Sequence, residues 1–169
     1  MLSAVRLPGP PPPGVGLPAR LGPVVVVTGA PAWAWDGPAP DLPISTFDPP
    51  DAESVAGWGV DHVVVVAADV TAAVDALVAA GADLRRRGRT ARGGEAAFLL
   101  AGVLVEVVAV DEGPARLAGI AYETDRPLDE VVAAWRAAGV PAGDPHPAVQ
   151  PGRSICSVRG AAVAAMTPR

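Results

Sequence analysis

The sequence is poor in cysteine, in basic charge and in long apolar runs, and each shortage excludes a class of protein. Cys156 is the single cysteine of 169 residues, so no intramolecular disulfide can form and the chain fits a reducing cytoplasm. The formal net charge of −5 argues against nucleic acid as a partner, because a phosphate backbone requires a basic face. No apolar run approaches the roughly 20 residues of a membrane span, and the first residues lack a secretory signal's apolar core. We therefore expect a cytoplasmic protein that binds neither membranes nor nucleic acid.

Aromatic residues are also scarce, at 4% of a sequence that is 50% hydrophobic. Most of the apolar content is Ala and Val, whose small side chains favour helices packed closely on sheets. The length is sufficient for one domain, or for two small modules that share a core.

Proline is abundant but unevenly placed, since residues 1–58 contain thirteen of the twenty. Proline fixes φ and removes a backbone donor, so this region cannot be a long helix or a central strand. We expect an irregular N-terminal arm with one or two short strands, in "LGPVVVVTG" and "PAWAWDG". Trp33 and Trp35 in the second of these would either anchor the arm to the core or cap an opening.

Residues 59–169 have a regular pattern. "VDHVVVVAAD" predicts a strand and "DVTAAVDALVAAG" a helix, with Asp69 or Thr71 as its N-cap. "ADLRRRGRTARGG" and "EAAFLLAGVLVEVVAV" predict three more strands, which completes a βαβββ unit over residues 59–111. The same order of elements follows in residues 115–169.

A constant offset of 58 residues superimposes the second unit on the first without a gap. It places Gly81 on Gly139, the predicted stop of each helix, and two further glycines on glycines at predicted turns. One helix and one short sheet cannot bury their apolar faces alone, so the two units must pack together. The sequence therefore predicts an α+β fold of two tandem βαβββ modules.

Two consecutive βαβββ units, with "DHVVV" opening the first and "VLVEVV" closing it, resemble the vicinal oxygen chelate superfamily. This group includes glyoxalase I, methylmalonyl-CoA epimerase, extradiol dioxygenases and bleomycin-resistance proteins. The ending "HPAVQPGRSICSVRGAAVAAMTP" also resembles actinobacterial glyoxalase-like proteins with no assigned reaction. The resemblance covers residues 59–169 and implies a rolled mixed sheet that surrounds a cup, with the helices outside. It also implies a divalent metal ion held by residues on the first and last strands of each module.

His62 and Glu106 stand at two of the metal positions that the resemblance implies. An imidazole and a carboxylate suit Zn, Fe, Mn or Ni, and Glu106 is also the candidate catalytic carboxylate. The offset of 58 carries His62 onto Ile120 and Glu106 onto Ala164, so the second module lacks its half of the ligand set. Substitutes are available in Tyr122, Glu123 and His146.

Other residues are candidates for binding a ligand. Gln150 and Arg153 in "AVQPGRS" would be either turn residues or a polar lip on the cup, and Trp58 is expected near its mouth. The five arginines of residues 85–92 would be either a solvated hairpin or a positive rim for an anionic or carboxylate-bearing ligand.

The preferred interpretation is a glyoxalase-like protein of unassigned activity, acting as a metal-dependent lyase or isomerase on a small oxygenated metabolite. The alternative is a non-catalytic protein that sequesters a small molecule in the cup. A third hypothesis is a structural role with the cup filled by side chains. The expected partner is a small-molecule ligand, and a homodimer is the assembly to test for.

Overall fold

The computed structural model describes residues 1–90 and 93–168, so Arg92, one of the five clustered arginines, lies outside the described residues. Within these ranges the chain forms two sheets and two helices. No helix of the described chain has the length and apolar character needed to cross a bilayer.

The proline-rich segment contains more strands than the sequence predicts. Its described part forms a sheet of order β2-β3-β1-β4, from the following strands: β1 (Leu2–Leu7), β2 (Ala19–Leu21), β3 (Val24–Thr28) and β4 (Ala32–Trp35). β1 pairs in parallel with β3 and antiparallel with β4. The prolines of this segment lie outside its four strands, where a missing donor breaks no ladder. The partners of β1 are distant in sequence, which is why a local pattern does not reveal it.

A second sheet, of eight strands within the described ranges, has the order β10-β11-β12-β9-β5-β8-β7-β6. The first module consists of β5 (Trp58–Ala67), α1 (Val70–Ala79), β6 (Asp83–Arg89), β7 (Glu95–Leu100) and β8 (Leu104–Ala109). The second consists of β9 (Arg116–Thr124), α2 (Leu128–Ala137), β10 (His146–Pro147), β11 (Ser154–Ser157) and β12 (Val163–Met166). The antiparallel pair β5–β9 joins the modules. The predicted α+β fold of tandem βαβββ modules is confirmed.

The sequence repeat corresponds to a structural repeat. The bounds of α1 and α2 differ by the same 58 residues at both ends. Gly81 and Gly139 follow the two helices with φ of 93° and 78°, a left-handed conformation that favours glycine. At the start of α1, Asp69 is the N-cap, and its Oδ1 accepts the backbone N–H of Ala72 at 2.9 Å.

The helices cover one face of the eight-stranded sheet and leave the other open. On β5, Val63 and Val65 are fully buried in the core that includes Leu77 of α1. Val64 and Val66 alternate with them and are partly exposed. This partly exposed face of the central strands is the concave side of the sheet, hereafter the cup.

The N-terminal sheet contacts both modules. The backbone N–H of Leu2 donates to the carbonyl of Ala101 at 2.9 Å, and Trp135 Nε1 on α2 donates to the carbonyl of Pro11 at 2.9 Å. Trp33 is fully buried in the same apolar cluster as Val63, and its ring packs edge-on against Trp35. The division of the chain into an arm (1–58) and a domain (59–169) stays a prediction.

Candidate functional site

Asp61 and His62 lie at an irregularity in β5. The pairing of β5 with β9 shifts register between Val60 and His62, so Asp61 is an extra residue in the ladder. Consecutive side chains of a regular strand point to opposite faces, whereas a bulge re-aims one of them. The bulge lets these neighbours meet, with His62 Nδ1 2.7 Å from Asp61 Oδ2.

His62 and Glu106 approach each other in the cup. β5 and β8 run in parallel, and Glu106 pairs with Val64, two residues beyond His62 on the same face. His62 Nε2 is 3.6 Å from Glu106 Oε2, and the two side chains are 14% and 21% exposed. The structure therefore brings the two predicted metal ligands together at a partly open position.

Arg153 forms a buried ion pair with Asp61 beneath this site. Arg153 Nη1 is 2.8 Å from Asp61 Oδ1, with the side chains 6% and 0% exposed. Burial alone would raise the pKa of Asp61, but the hydrogen bonds and charges of His62 and then Arg153 outweigh it. Together they hold the pKa of Asp61 well below its usual range. Asp61 is therefore an ionised carboxylate between two donors.

Further contacts fix the guanidinium of Arg153. Its Nε donates to the carbonyl of Thr167 at 2.8 Å, and Nη2 lies 3.4 Å from Glu123 Oε2. An arginine of the second module thus supports the carboxylate that contacts His62 of the first.

The second module supplies methyl groups where ligands would be expected. The residue opposite His62 is Ala121, and Ala121 pairs in turn with Ala164 on β12. Ile120, which the offset of 58 aligns with His62, pairs with Val63 and lies in the core. In residues 1–90 and 93–168 no cluster of three or more His, Cys, Asp or Glu side chains is arranged to hold a metal ion.

The three suggested substitutes have different surroundings. Glu123 pairs with Arg153, and Tyr122 is 3% exposed, with its pKa raised by burial. His146 is exposed on β10 and lines the same cavity as His62 and Glu106. His146 is thus the substitute that shares the cavity with both predicted ligands.

Two adjoining cavities of the described part of the cup lie between the β6–β7 and β10–β11 hairpins. One, of about 290 Å³, is lined by His62 and Glu106, and the other has about 500 Å³. The residues common to both cavities are Arg86, Phe98, Leu104 and Gln150. These volumes suit a small molecule. The cup is therefore open, and the filled cup that would have supported a purely structural role is not what the structure shows.

Two of the three predicted ligand-binding residues line the cavities, and the third lies in the core. Gln150 lines both cavities, and Arg153 lines the larger one while its guanidinium pairs with Asp61. Trp58 is 5% exposed, packs edge-on against Tyr122 at 6.4 Å and belongs to the core. The structure does not bring Trp58 to the cavity of His62.

The donors on the first module fit part of a metal site. In a metal site, each donor atom lies about 2.0–2.2 Å from the ion. Two adjacent donor atoms of such a site are about as far apart as His62 Nε2 and Glu106 Oε2, which are separated by 3.6 Å. Asp61 on Nδ1 supplies the outer hydrogen bond that metal-binding histidines usually make. His62 and Glu106 would therefore supply two of the ligands that a divalent ion needs, which is fewer than the three protein ligands usual in catalytic zinc sites.

In its neutral form, His62 is expected to carry its proton on Nδ1. An ionised carboxylate can only accept hydrogen bonds, so Nδ1 must donate to Asp61 and Nε2 keeps a free lone pair. The ¹⁵N shifts of the ring in a long-range ¹H–¹⁵N spectrum should show the Nδ1–H tautomer, and His146→Gln assigns the signals because the chain has only 2 His. Asp61→Asn should move the shifts toward the other tautomer, and unchanged shifts would contradict this role of Asp61.

Comparison with known proteins gives structural matches only. No family model and no curated protein matches the sequence. Methylmalonyl-CoA epimerase of Mycobacterium tuberculosis superimposes with a TM-score of 0.54 and 16% identity, over 66% of this chain and 88% of that one. A Bacillus halodurans protein described as hypothetical gives 0.54 and 14%, over 66% and 95%. A Streptomyces coelicolor methylmalonyl-CoA epimerase in complex with 2-nitronate-propionyl-CoA gives 0.52 and 18%, over 64% and 95%.

Sequence identities this low support a conclusion about the fold alone. The matched structures include epimerases of the superfamily that the βαβββ repeat resembles, and the strand order and paired modules agree with it. The chain therefore has the vicinal oxygen chelate fold.

Proposed function

We propose that this protein is an isomerase or lyase that acts on a small carbonyl-bearing molecule in the cup. The observation that carries the proposal is the approach of His62 Nε2 to Glu106 Oε2, 3.6 Å apart and partly exposed in an open cavity. Asp61 holds the imidazole from behind, so the pair has a defined orientation. Such preorganisation is what proton transfer requires.

Glu106 is the proton-transferring residue in this proposal. Its carboxylate accepts a proton from the carbon next to the carbonyl, and the electrons of the broken C–H bond move to the carbonyl oxygen. Return of the proton to the other face or to a neighbouring carbon gives an isomer, and expulsion of a leaving group gives a lyase product. No electron is gained or lost overall.

His62 directs its free Nε2 toward the same space. A divalent ion (Zn, Fe, Mn or Ni) bound to His62 and Glu106 would polarise the substrate oxygen as a Lewis acid. One oxygen of Glu106 suffices to bind the ion, which leaves the other to move the proton. The epimerases among the similar structures support this proposal through their fold, since epimerisation is also a proton transfer.

Solvent deuterium exchange tests the proposal on a panel of compounds, so the substrate need not be identified first. In D₂O, we expect the protein to incorporate deuterium next to the carbonyl of at least one compound in a panel of small ketones, oxo acids and thioesters. Glu106→Gln should lower that rate roughly 10²- to 10⁴-fold. Glu112→Gln, an exposed residue in the loop after β8, is the matched control and should leave the rate unchanged.

Metal titration of chelator-treated protein by calorimetry is the companion measurement. His62→Ala and Glu106→Gln should each weaken the binding of Zn²⁺, Ni²⁺ or Mn²⁺ at least tenfold. Absence of exchange with every compound, or an unchanged rate in Glu106→Gln, would refute the catalytic proposal.

The second candidate function is sequestration of a small molecule without catalysis. It is favoured by the methyl groups of Ala121, which pairs with His62, and of Ala164, which the offset of 58 aligns with Glu106, and by the apolar part of the cavity wall. Ligand binding that survives chelation and gives no deuterium exchange would support it over the first.

A further inference from the structure

The arginines of β6 differ in whether their guanidinium groups have polar partners within the chain. Among the described residues, three have polar partners: Arg85 lies 3.3 Å from Asp83, Arg87 lies 3.5 Å from Glu95, and Arg89 donates to the carbonyl of Gly93 at 2.7 Å. Arg86 has no carboxylate of the described chain within ion-pair distance. Its guanidinium lies over the ring of Phe98, 4.4 Å from the centroid.

Arg86 lies on the face of the sheet opposite Arg87, and it lines both cavities of the cup, whereas Arg85 and Arg89 each line one of them. Arg86 pairs with Phe98 on β7, and Phe98 pairs with Glu106 on β8, so the three form one row across the sheet. Arg87 is on the opposite face, where it reaches Thr71 of α1. Arg86 is thus the β6 arginine in the row of Glu106, and it lines both cavities of the cup.

The row has the dimensions of a small molecule. Neighbouring strands lie about 4.8 Å apart, so the backbones of Glu106 and Arg86 are separated by roughly 10 Å, with an aromatic ring between them. Apolar side chains complete the wall of the cavity, namely Leu104, Ile155 and Met166. A ligand whose reactive carbon lies at Glu106 would therefore place an apolar body on Phe98 and its far end at Arg86.

We propose that Arg86 anchors the carboxylate of the ligand, and that the substrate class is small, apolar carbonyl compounds with one carboxylate. The reaction at such a compound rests on the function proposed above, whereas the anchor does not. A guanidinium matches a carboxylate in a bidentate fork, and stacking on Phe98 holds its plane. A phosphate dianion would meet stronger repulsion from Glu106 than a carboxylate does.

Calorimetry with a panel of small monocarboxylates, their neutral amides and the corresponding phosphate monoesters tests the anchor. We expect at least one carboxylate to bind the wild-type protein, and Arg86→Gln to weaken its binding at least tenfold. The neutral amide of that carboxylate should bind the wild-type protein and Arg86→Gln equally. Arg86→Lys, which keeps the charge but loses the fork, should give an intermediate loss.

Arg87→Gln is the matched control, since it removes an arginine of the same strand that pairs with Glu95 on the opposite face. It should change carboxylate affinity less than twofold. Glu106→Gln should bind the carboxylate a few-fold more tightly, because it removes a negative charge from the same row. If Glu106→Gln keeps full deuterium exchange while Arg86→Gln loses binding, the catalytic proposal fails and the anchor stands.

Three outcomes would overturn the anchor. They are no binding of any carboxylate to the wild-type protein, equal binding to Arg86→Gln, and tighter binding of phosphate monoesters than of carboxylates. Circular dichroism of each variant confirms that the fold is retained.

Discussion

Replacement of Arg153 with methionine is expected to destabilise the protein by about 3–5 kcal/mol. Asp61 is fully buried, and its carboxylate lies 2.8 Å from Arg153 Nη1. Methionine fills much of the same volume but leaves this carboxylate buried without its cationic partner. The free energy of unfolding, from urea denaturation followed by circular dichroism, measures the loss.

Arg159→Met is the control for loss of a positive charge next to the same strand, β11, because Arg159 is exposed. It should change the free energy of unfolding by less than about 0.5 kcal/mol. The double variant Asp61→Leu with Arg153→Met should regain much of the lost stability, since it also removes the buried carboxylate that Arg153→Met leaves without its cationic partner. A loss below about 1 kcal/mol in Arg153→Met alone would show that the pair does not hold this part of the site together.

Trp33→Ala is expected to have a similar effect, about 3–5 kcal/mol, through a different mechanism. Trp33 is fully buried and belongs to the apolar cluster that also contains residues of β5 and α1. Truncation leaves a cavity where the N-terminal sheet meets the rest of the chain. We expect one cooperative unfolding transition at a lower denaturant concentration, by circular dichroism and by tryptophan fluorescence alike.

Trp33→Phe is the matched variant. Trp33 Nε1 is buried without a hydrogen-bond partner in the described part of the chain, so phenylalanine loses no hydrogen bond and keeps an aromatic ring. Its loss of stability should be clearly smaller. Two separate transitions in Trp33→Ala would show instead that residues 1–58 unfold as an arm independent of the modules.

The repeat can be predicted because local rules specify it. The glycine after each helix depends on a few neighbouring residues and recurs 58 residues later. The side-chain cap does not recur, because Pro127 stands where α1 has Asp69. The hairpins are specified less closely. The offset of 58 aligns Gly94 with Gly152. Gly152 has a positive φ, but in the first module the glycine with a positive φ is Gly93.

The site can be predicted only in part. His62 and Glu106 are predicted through the resemblance to the vicinal oxygen chelate superfamily, and the structure brings them within 3.6 Å. The sequence does not reveal Asp61 although it precedes His62, because simple alternation places it on the opposite face. A bulge depends on how β5 pairs with β9, and no residue near Asp61 indicates it.

The local sequence is enough to predict the tandem modules with their helices and to indicate candidate site residues on their strands. It does not specify that β1 joins a sheet with β3 and β4, that Arg153 pairs with Asp61, or that Arg86 shares a row with Glu106. Secondary structure follows from short-range propensity and periodicity, which are present in neighbouring residues. Register, bulges and buried charge pairs depend on contacts between distant segments, and these are defined only when the sheet is assembled.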